Sequence, residues 1–142
     1  MSTAQPGPQL IAILVCDTII RDQMTQKHTL VGLFNRIGAK RFPYRHGAMH
    51  VFVSLTDGHG EPEGELRLVC RQTNEPVVKI RGKLVFPNPL AVVEMTFGLF
   101  NAVFPRPGRY SFDLYCNDEL VGSRPFDVVL QESPRKPPAQ DA

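Results

Sequence analysis

Residues Leu114–Leu130 read Leu-Tyr-Cys-Asn-Asp-Glu-Leu-Val-Gly-Ser-Arg-Pro-Phe-Asp-Val-Val-Leu, and this stretch decides the fold. An apolar run reaches Cys116, Asn117-Asp118 breaks it, and a second run closes at Leu130. Two such runs around two turn-forming residues are the signature of a β-hairpin. The turn sets Leu114 opposite Val121 and sends odd-numbered residues of the last strand inward. Phe126, Val128 and Leu130 are even-numbered, so the phase must switch. An irregularity is expected near Gly122–Pro125, where Gly122, Ser123 and Pro125 can form a bulge or kink.

Working back from the second strand of this hairpin, seven more runs carry strand patterning, the last of them containing the hairpin's first strand. Leu10–Ile20 is apolar on both sides, as a central strand would be, and its β-branched residues favour strand over a short helix. Thr29–Ile37 places Thr29, Val31, Leu33 and Ile37 on one face; Met49–Thr56 does the same with Met49, Val51, Val53 and Leu55. Leu66, Leu68 and Cys70 form a further stripe, as do Val78, Ile80 and Leu84. Ala91 to Leu99 and Tyr110 to Cys116 supply two more. Pro107-Gly108 suits a turn with glycine at positive φ. Prolines fall between or at the edges of these runs, where no ladder N–H is needed. The pattern predicts an all-β, single-domain β-sandwich of about eight mostly antiparallel strands over residues 9–131, with little helix. Disordered tails are expected at 1–8 and 132–142.

A chain of 142 residues suits one domain, and one that size buries roughly 68–70% of its unfolded surface without disulfide or metal help. Its 16 basic and 14 acidic side chains leave a net charge of +2, too near neutrality to mark a nucleic-acid or membrane protein. Cys16, Cys70 and Cys116 lie inside apolar runs with no paired spacing, as expected of reduced, buried thiols in a cytoplasmic protein. The run Leu10–Cys16 is too short for a membrane span and lacks the flanks of a signal peptide.

Several motifs together carry a resemblance. They include Cys16-Asp17, Gly32-Leu33-Phe34-Asn35-Arg36-Ile37, Thr56-Asp57-Gly58-His59-Gly60 and Phe86-Pro87-Asn88-Pro89-Leu90. Phe104-Pro105, Pro107-Gly108-Arg109-Tyr110-Ser111-Phe112 and Gly122-Ser123-Arg124-Pro125 complete the set. Over about residues 10–130 the chain resembles a family of small bacterial β-proteins catalogued only as a domain of unknown function. The resemblance implies a bacterial source and a stand-alone domain. It brings no activity and no site residues.

No catalytic signature, phosphate loop, dinucleotide fingerprint or zinc spacing occurs, and no cofactor is expected. Three features remain. Matching the apolar faces of the fourth and fifth strands pairs Leu68 with Ile80 and Cys70 with Val78. Arg67, Arg71, Lys79, Arg81 and Lys83 then share the opposite face, offset by Glu65. Such a stripe could bind an anion, or it could be a solvated face that discourages edge pairing. Lys40-Arg41-Phe42-Pro43-Tyr44-Arg45-His46 is a basic loop whose aromatics suit stacking on a ligand or packing over a sheet end. Asp57-Gly58-His59-Gly60-Glu61 carries groups that could ligate a cation, or simply turns the chain. His46 and His50 are four apart, but His50 begins a strand, where four residues span roughly 13 Å, so no shared metal is expected. Asp17, interrupting the most apolar strand, either pairs with Arg36 or Arg124 or faces solvent.

These readings favour a non-enzymatic binding or protein-interaction module. Its loop surface is expected to comprise Lys40, Arg41, Tyr44, Asp57, His59 and Glu61, together with Phe86–Pro89. An anion or nucleic-acid binder using the basic stripe is the first alternative, with nucleic acid disfavoured by the net charge. A metal-assisted hydrolase centred on Asp57, His59 and Glu61 is the second.

Overall fold

The computed structural model describes residues 7–131; the expected tails at 1–8 and 132–142 lie almost wholly outside them. Nine strands and no helix occur among the described residues. They are β1 (Gln9–Arg21), β2 (His28–Leu33), β3 (Arg36–Ala39), β4 (Tyr44–Thr56) and β5 (Glu63–Cys70), then β6 (Pro76–Lys83), β7 (Val93–Phe104), β8 (Gly108–Cys116) and β9 (Glu119–Leu130). One sheet has the order β2-β1-β4-β7 and the other β3-β9-β8-β5-β6. The two pack face to face as a β-sandwich, all pairs antiparallel except β3 with β9. Among the described residues no helix is long and apolar enough to cross a membrane.

The core follows the period-two stripes. Met49, Val51, Val53 and Leu55 of β4 are fully buried, facing Leu66 and Leu68 of β5 and Phe112 and Leu114 of β8 across the sandwich. An aromatic group fills one end: Phe104 meets Tyr110 edge-on at 5.0 Å between ring centroids, and Phe126 stacks on Phe112 at 5.4 Å. The buried Tyr110 hydroxyl donates to the Arg106 carbonyl at 2.7 Å, which ties down the turn before β8.

Three expectations need correction. The run Thr29–Ile37 is not one strand. It divides into β2, paired with β1, and β3, which crosses to the other sheet and pairs with β9. Ile37 is buried, but Val31 and Leu33 are 42% and 59% exposed. The register of β5 and β6 is Leu66 with Ile80 and Leu68 with Val78, two residues from the expected pairing. A two-residue shift keeps every side chain on its face, so the stripe argument survives it. The irregularity in β9 sits at Val121, just before the expected segment: Tyr115 pairs with Leu120 but Leu114 pairs with Gly122, leaving Val121 as the extra residue.

The β1–β2 hairpin does not stay in the plane of its sheet. Pairing of β1 with β4 ends at Cys16–His50, and beyond it the hairpin lies over the sheet's outer face. His28, at the start of β2, meets Phe52 of β4 edge-on at 5.6 Å and Glu94 of β7 at 3.2 Å. The bend is at Asp17 and Gly32. Gly32 has φ 73, and a Cβ there would run into the Asp17 carboxylate. Asp17 is exposed and makes no ion pair with Arg36 or Arg124 among the described residues, so of its two readings the solvent-facing one holds.

Candidate functional site

The outer face of the five-stranded sheet gathers the charged residues. Alternation sends Leu66, Leu68, Tyr110, Phe112, Phe126 and Val128 inward, so residues of the opposite parity face out. These are Glu63, Glu65 and Arg67 on β5, Lys79, Arg81 and Lys83 on β6, Arg109, Ser111, Asp113 and Tyr115 on β8, Asp127 on β9 and Arg36 on β3. Arg71, one residue beyond β5, joins them, because its Nε donates to Ser111 Oγ at 2.8 Å.

Glu65 organises one half of this face. It is 6% exposed, accepts from Arg67 Nε at 2.7 Å through one oxygen and meets Arg81 Nε at 3.2 Å through the other. The hydrogen bond from Arg67, chiefly, holds its carboxyl below the ordinary range against the opposing effect of burial; Arg81 and Lys79 add to the lowering. Arg67 also lies over the Tyr115 ring, its guanidinium carbon 3.9 Å from the centroid. In the other half Ser111 Oγ donates to Asp113 at 2.8 Å while accepting from Arg71, and Arg109 meets Asp127 at 3.1 Å. Next to that pair, Asn35, Arg36, Arg109 and Arg124 line a cavity of about 430 Å³. Arg36 and Arg124 have no ion-pair partner among the described residues.

The five basic residues singled out in the sequence therefore lie on one face, with more compensation than the sequence suggested. Lys83 is 3.9 Å from Glu61 and Arg81 is 3.8 Å from Glu63, so Glu65 is not the sole offset. Arg36 and Arg109 belong to the same face. No signal in one strand could reveal this, because β3 and β8 flank β9 only in the folded sheet.

The expected loop surface does not form. Lys40 and Arg41 precede β4 and Asp57, His59 and Glu61 follow it, so about 40 Å of strand separates them. The loop Asp57–Pro62 instead packs with Phe86–Pro89. The Asp57 N–H donates to the Pro89 carbonyl at 3.0 Å, and that of Phe86 to the Gly60 carbonyl at 2.9 Å. Tyr44 is committed to packing, its ring stacked 6.5 Å from Phe104 and its hydroxyl 3.1 Å from His46 Nδ1. Among the described residues no three His, Cys, Asp or Glu side chains gather as a metal site; Glu61 is turned toward Lys83. His46 and His50 both lie within β4.

A second cluster, absent from the sequence reading, lies on the outer face of the four-stranded sheet. The folded-over hairpin and β7 enclose a groove of about 500 Å³. Ile19, Arg21 and His28 come from the hairpin, Glu94, Thr96, Gly98 and Phe100 from β7, and His50 stands on the floor. His50 Nδ1 donates to the Asp17 carbonyl at 3.0 Å. The only sequence signal was two histidines in strands opposite a polar stripe, Glu94 and Thr96.

One solved structure agrees with this fold. An alkylpurine DNA glycosylase from Pseudomonas fluorescens, solved bound to DNA with an abasic-site analogue, matches with a TM-score of 0.53 at 12% identity. The match covers 89% of this chain but only 31% of that one, so this chain spans about a third of its length. An immunoglobulin-like protein from Pseudomonas aeruginosa matches at 12% identity with a TM-score of 0.43, covering 89% of this chain and 99% of that one. No curated protein matches. The profile of a family of unknown function, DUF6941, matches residues 11–129, and the chain belongs to that family.

Proposed function

We propose that the chain is a non-enzymatic interaction module that holds an acidic segment of a protein partner on the outer face of its five-stranded sheet. The observation that carries this reading is the ordered guanidinium array around Glu65 and Ser111. Arg67, Arg71 and Arg81 are each fixed by a hydrogen bond or ion pair, so they meet carboxylates with little further loss of side-chain freedom. Lys79 has no ion-pair partner among the described residues and adds free positive charge beside them. Glu63, Asp113 and Asp127 break the positive field at intervals. A phosphate backbone, charged at every step, would meet these carboxylates, whereas a peptide of mixed sequence can avoid them. The likeness to a DNA glycosylase is one of fold and does not alter this choice. Three buried free thiols support a reducing compartment, and the reading places the module in the cytoplasm.

The test is binding of a fluorescent peptide whose glutamates are spaced by serines and glycines, with a DNA duplex of equal charge as comparison. The peptide should bind, and affinity should fall steeply between about 50 and 200 mM salt. The double variant Lys79→Glu, Lys83→Glu changes two exposed side chains and should abolish binding while leaving the fold intact. Absence of peptide binding at low salt, tighter binding of the duplex, or no effect of the double variant would overturn the reading.

A further inference from the structure

The groove on the outer face of the four-stranded sheet is physically separate from the basic face and has its own chemistry. A carbonyl oxygen can only accept, so His50 Nδ1, 3.0 Å from the Asp17 carbonyl, carries the proton. In the neutral ring, Nε2 is then left with its lone pair. That atom lies above Gly98, the cross-strand partner of His50. A Cβ at Gly98 would stand 3.3 Å from Nε2 and 3.1 Å from the Phe100 ring, so the missing side chain keeps the floor open. Phe100 meets the His50 ring edge-on at 5.7 Å and leaves 66% of itself exposed, an apolar ring in the wall of a polar groove.

The other end is charged. His28 Nδ1 is 3.2 Å from Glu94 Oε1, and the His28 side chain is only 13% exposed. Arg21, the ladder partner of His28, lines the same groove and has no ion-pair partner among the described residues.

We infer that this groove binds a small aromatic anion carrying a hydrogen-bond donor. Arg21 meets the anionic group, His50 Nε2 accepts from the donor, and the ligand ring lies against Phe100. Each requirement comes from a different residue: an unpaired guanidinium calls for an anion, an oriented lone pair for an O–H or N–H, and an exposed ring for a flat apolar surface. The volume falls within the range of small-molecule sites.

The experiment is an amide-resolved NMR titration of the full chain with para-hydroxyphenylacetate, which carries all three features. Shifts should concentrate at Ile19–Arg21, His28, His50 and residues 94–100. Phenylacetate, which lacks the donor, and tyrosol, which lacks the anion, should each bind about tenfold more weakly. Arg21→Gln and Phe100→Ala alter exposed side chains and should weaken binding by a similar factor. His50→Asn keeps a donor at the Nδ1 position but removes Nε2; it should retain the fold and abolish discrimination between para-hydroxyphenylacetate and phenylacetate. The inference is overturned if no groove amide shifts, if the three probes bind alike, or if the shifts fall on Arg67, Lys79 and Arg109. The last pattern would mean that the acid simply pairs with the basic face.

Discussion

At the scale of single residues, two titrating groups tie stability to pH. Burial, chiefly, holds the His46 imidazole below its ordinary value, against the pull of the Asp17 carboxylate. A histidine whose folded pKa is depressed binds its proton more readily when unfolded. The stability this contributes is therefore complete above about pH 6.5 and is lost as pH falls through the folded value. Glu65 is depressed too, chiefly by its hydrogen bond from Arg67, so its contribution is complete above the ordinary carboxylate range and is lost at more acidic pH. The melting temperature measured between about pH 7 and pH 3 should fall in two stages. His46→Gln should flatten the upper stage and Glu65→Gln the lower one. A single stage that neither variant alters would contradict both assignments. Neither group was legible as a titrating site. The sequence shows His46 in a basic loop, but the structure sets it within β4, where Phe34 and Tyr44 pack around it.

At the scale of elements, the β8–β9 hairpin shows how far period-two patterning reaches. Asn117 and Asp118 have φ of 48° and 67°, the two left-handed positions of the tightest hairpin turn. Asp118→Gly removes the steric cost of positive φ and should stabilise the protein by about 0.5–1 kcal/mol, read as a higher melting temperature. A lower melting temperature would mean that the Asp118 side chain holds the turn in a way its backbone angles do not reveal. The turn and the need for a phase switch were legible because they follow from alternation alone. The position of the extra residue was not, since Gly122 is held by contact rather than by ladder geometry: a Cβ there would strike Leu10 of the facing sheet. The division of Thr29–Ile37 did leave a mark, because Asn35 interrupts the apolar stripe where the chain crosses between sheets. Asn101 marks a similar break in β7. Its φ of 59° shifts the buried positions from Phe97 and Leu99 to Ala102 and Phe104.

At the scale of the whole molecule, strand order decides which surfaces exist, and no local pattern encodes it. The all-β sandwich was legible; the fold of the β1–β2 hairpin over its own sheet was not. That fold brings His28 to Glu94 across sixty-six positions of chain and creates the groove. The basic stripe was legible as a face but not in its extent, because β3 reaches the β9 edge by a parallel crossover. The loops Lys40–Pro43 and Asp57–Pro62 look alike as polar connections, yet the length of β4 holds them at opposite ends. The central claim is that the five-stranded face is the working surface, and amide-resolved NMR of the chain titrated with the glutamate–serine–glycine peptide tests it most directly. The account predicts shifts at Arg67, Lys79, Arg81, Arg109 and Arg36 that reverse with added salt, with Glu94–Phe100 unmoved. Shifts confined to the groove, or to the Asp57–Pro62 end of the sandwich, would contradict it.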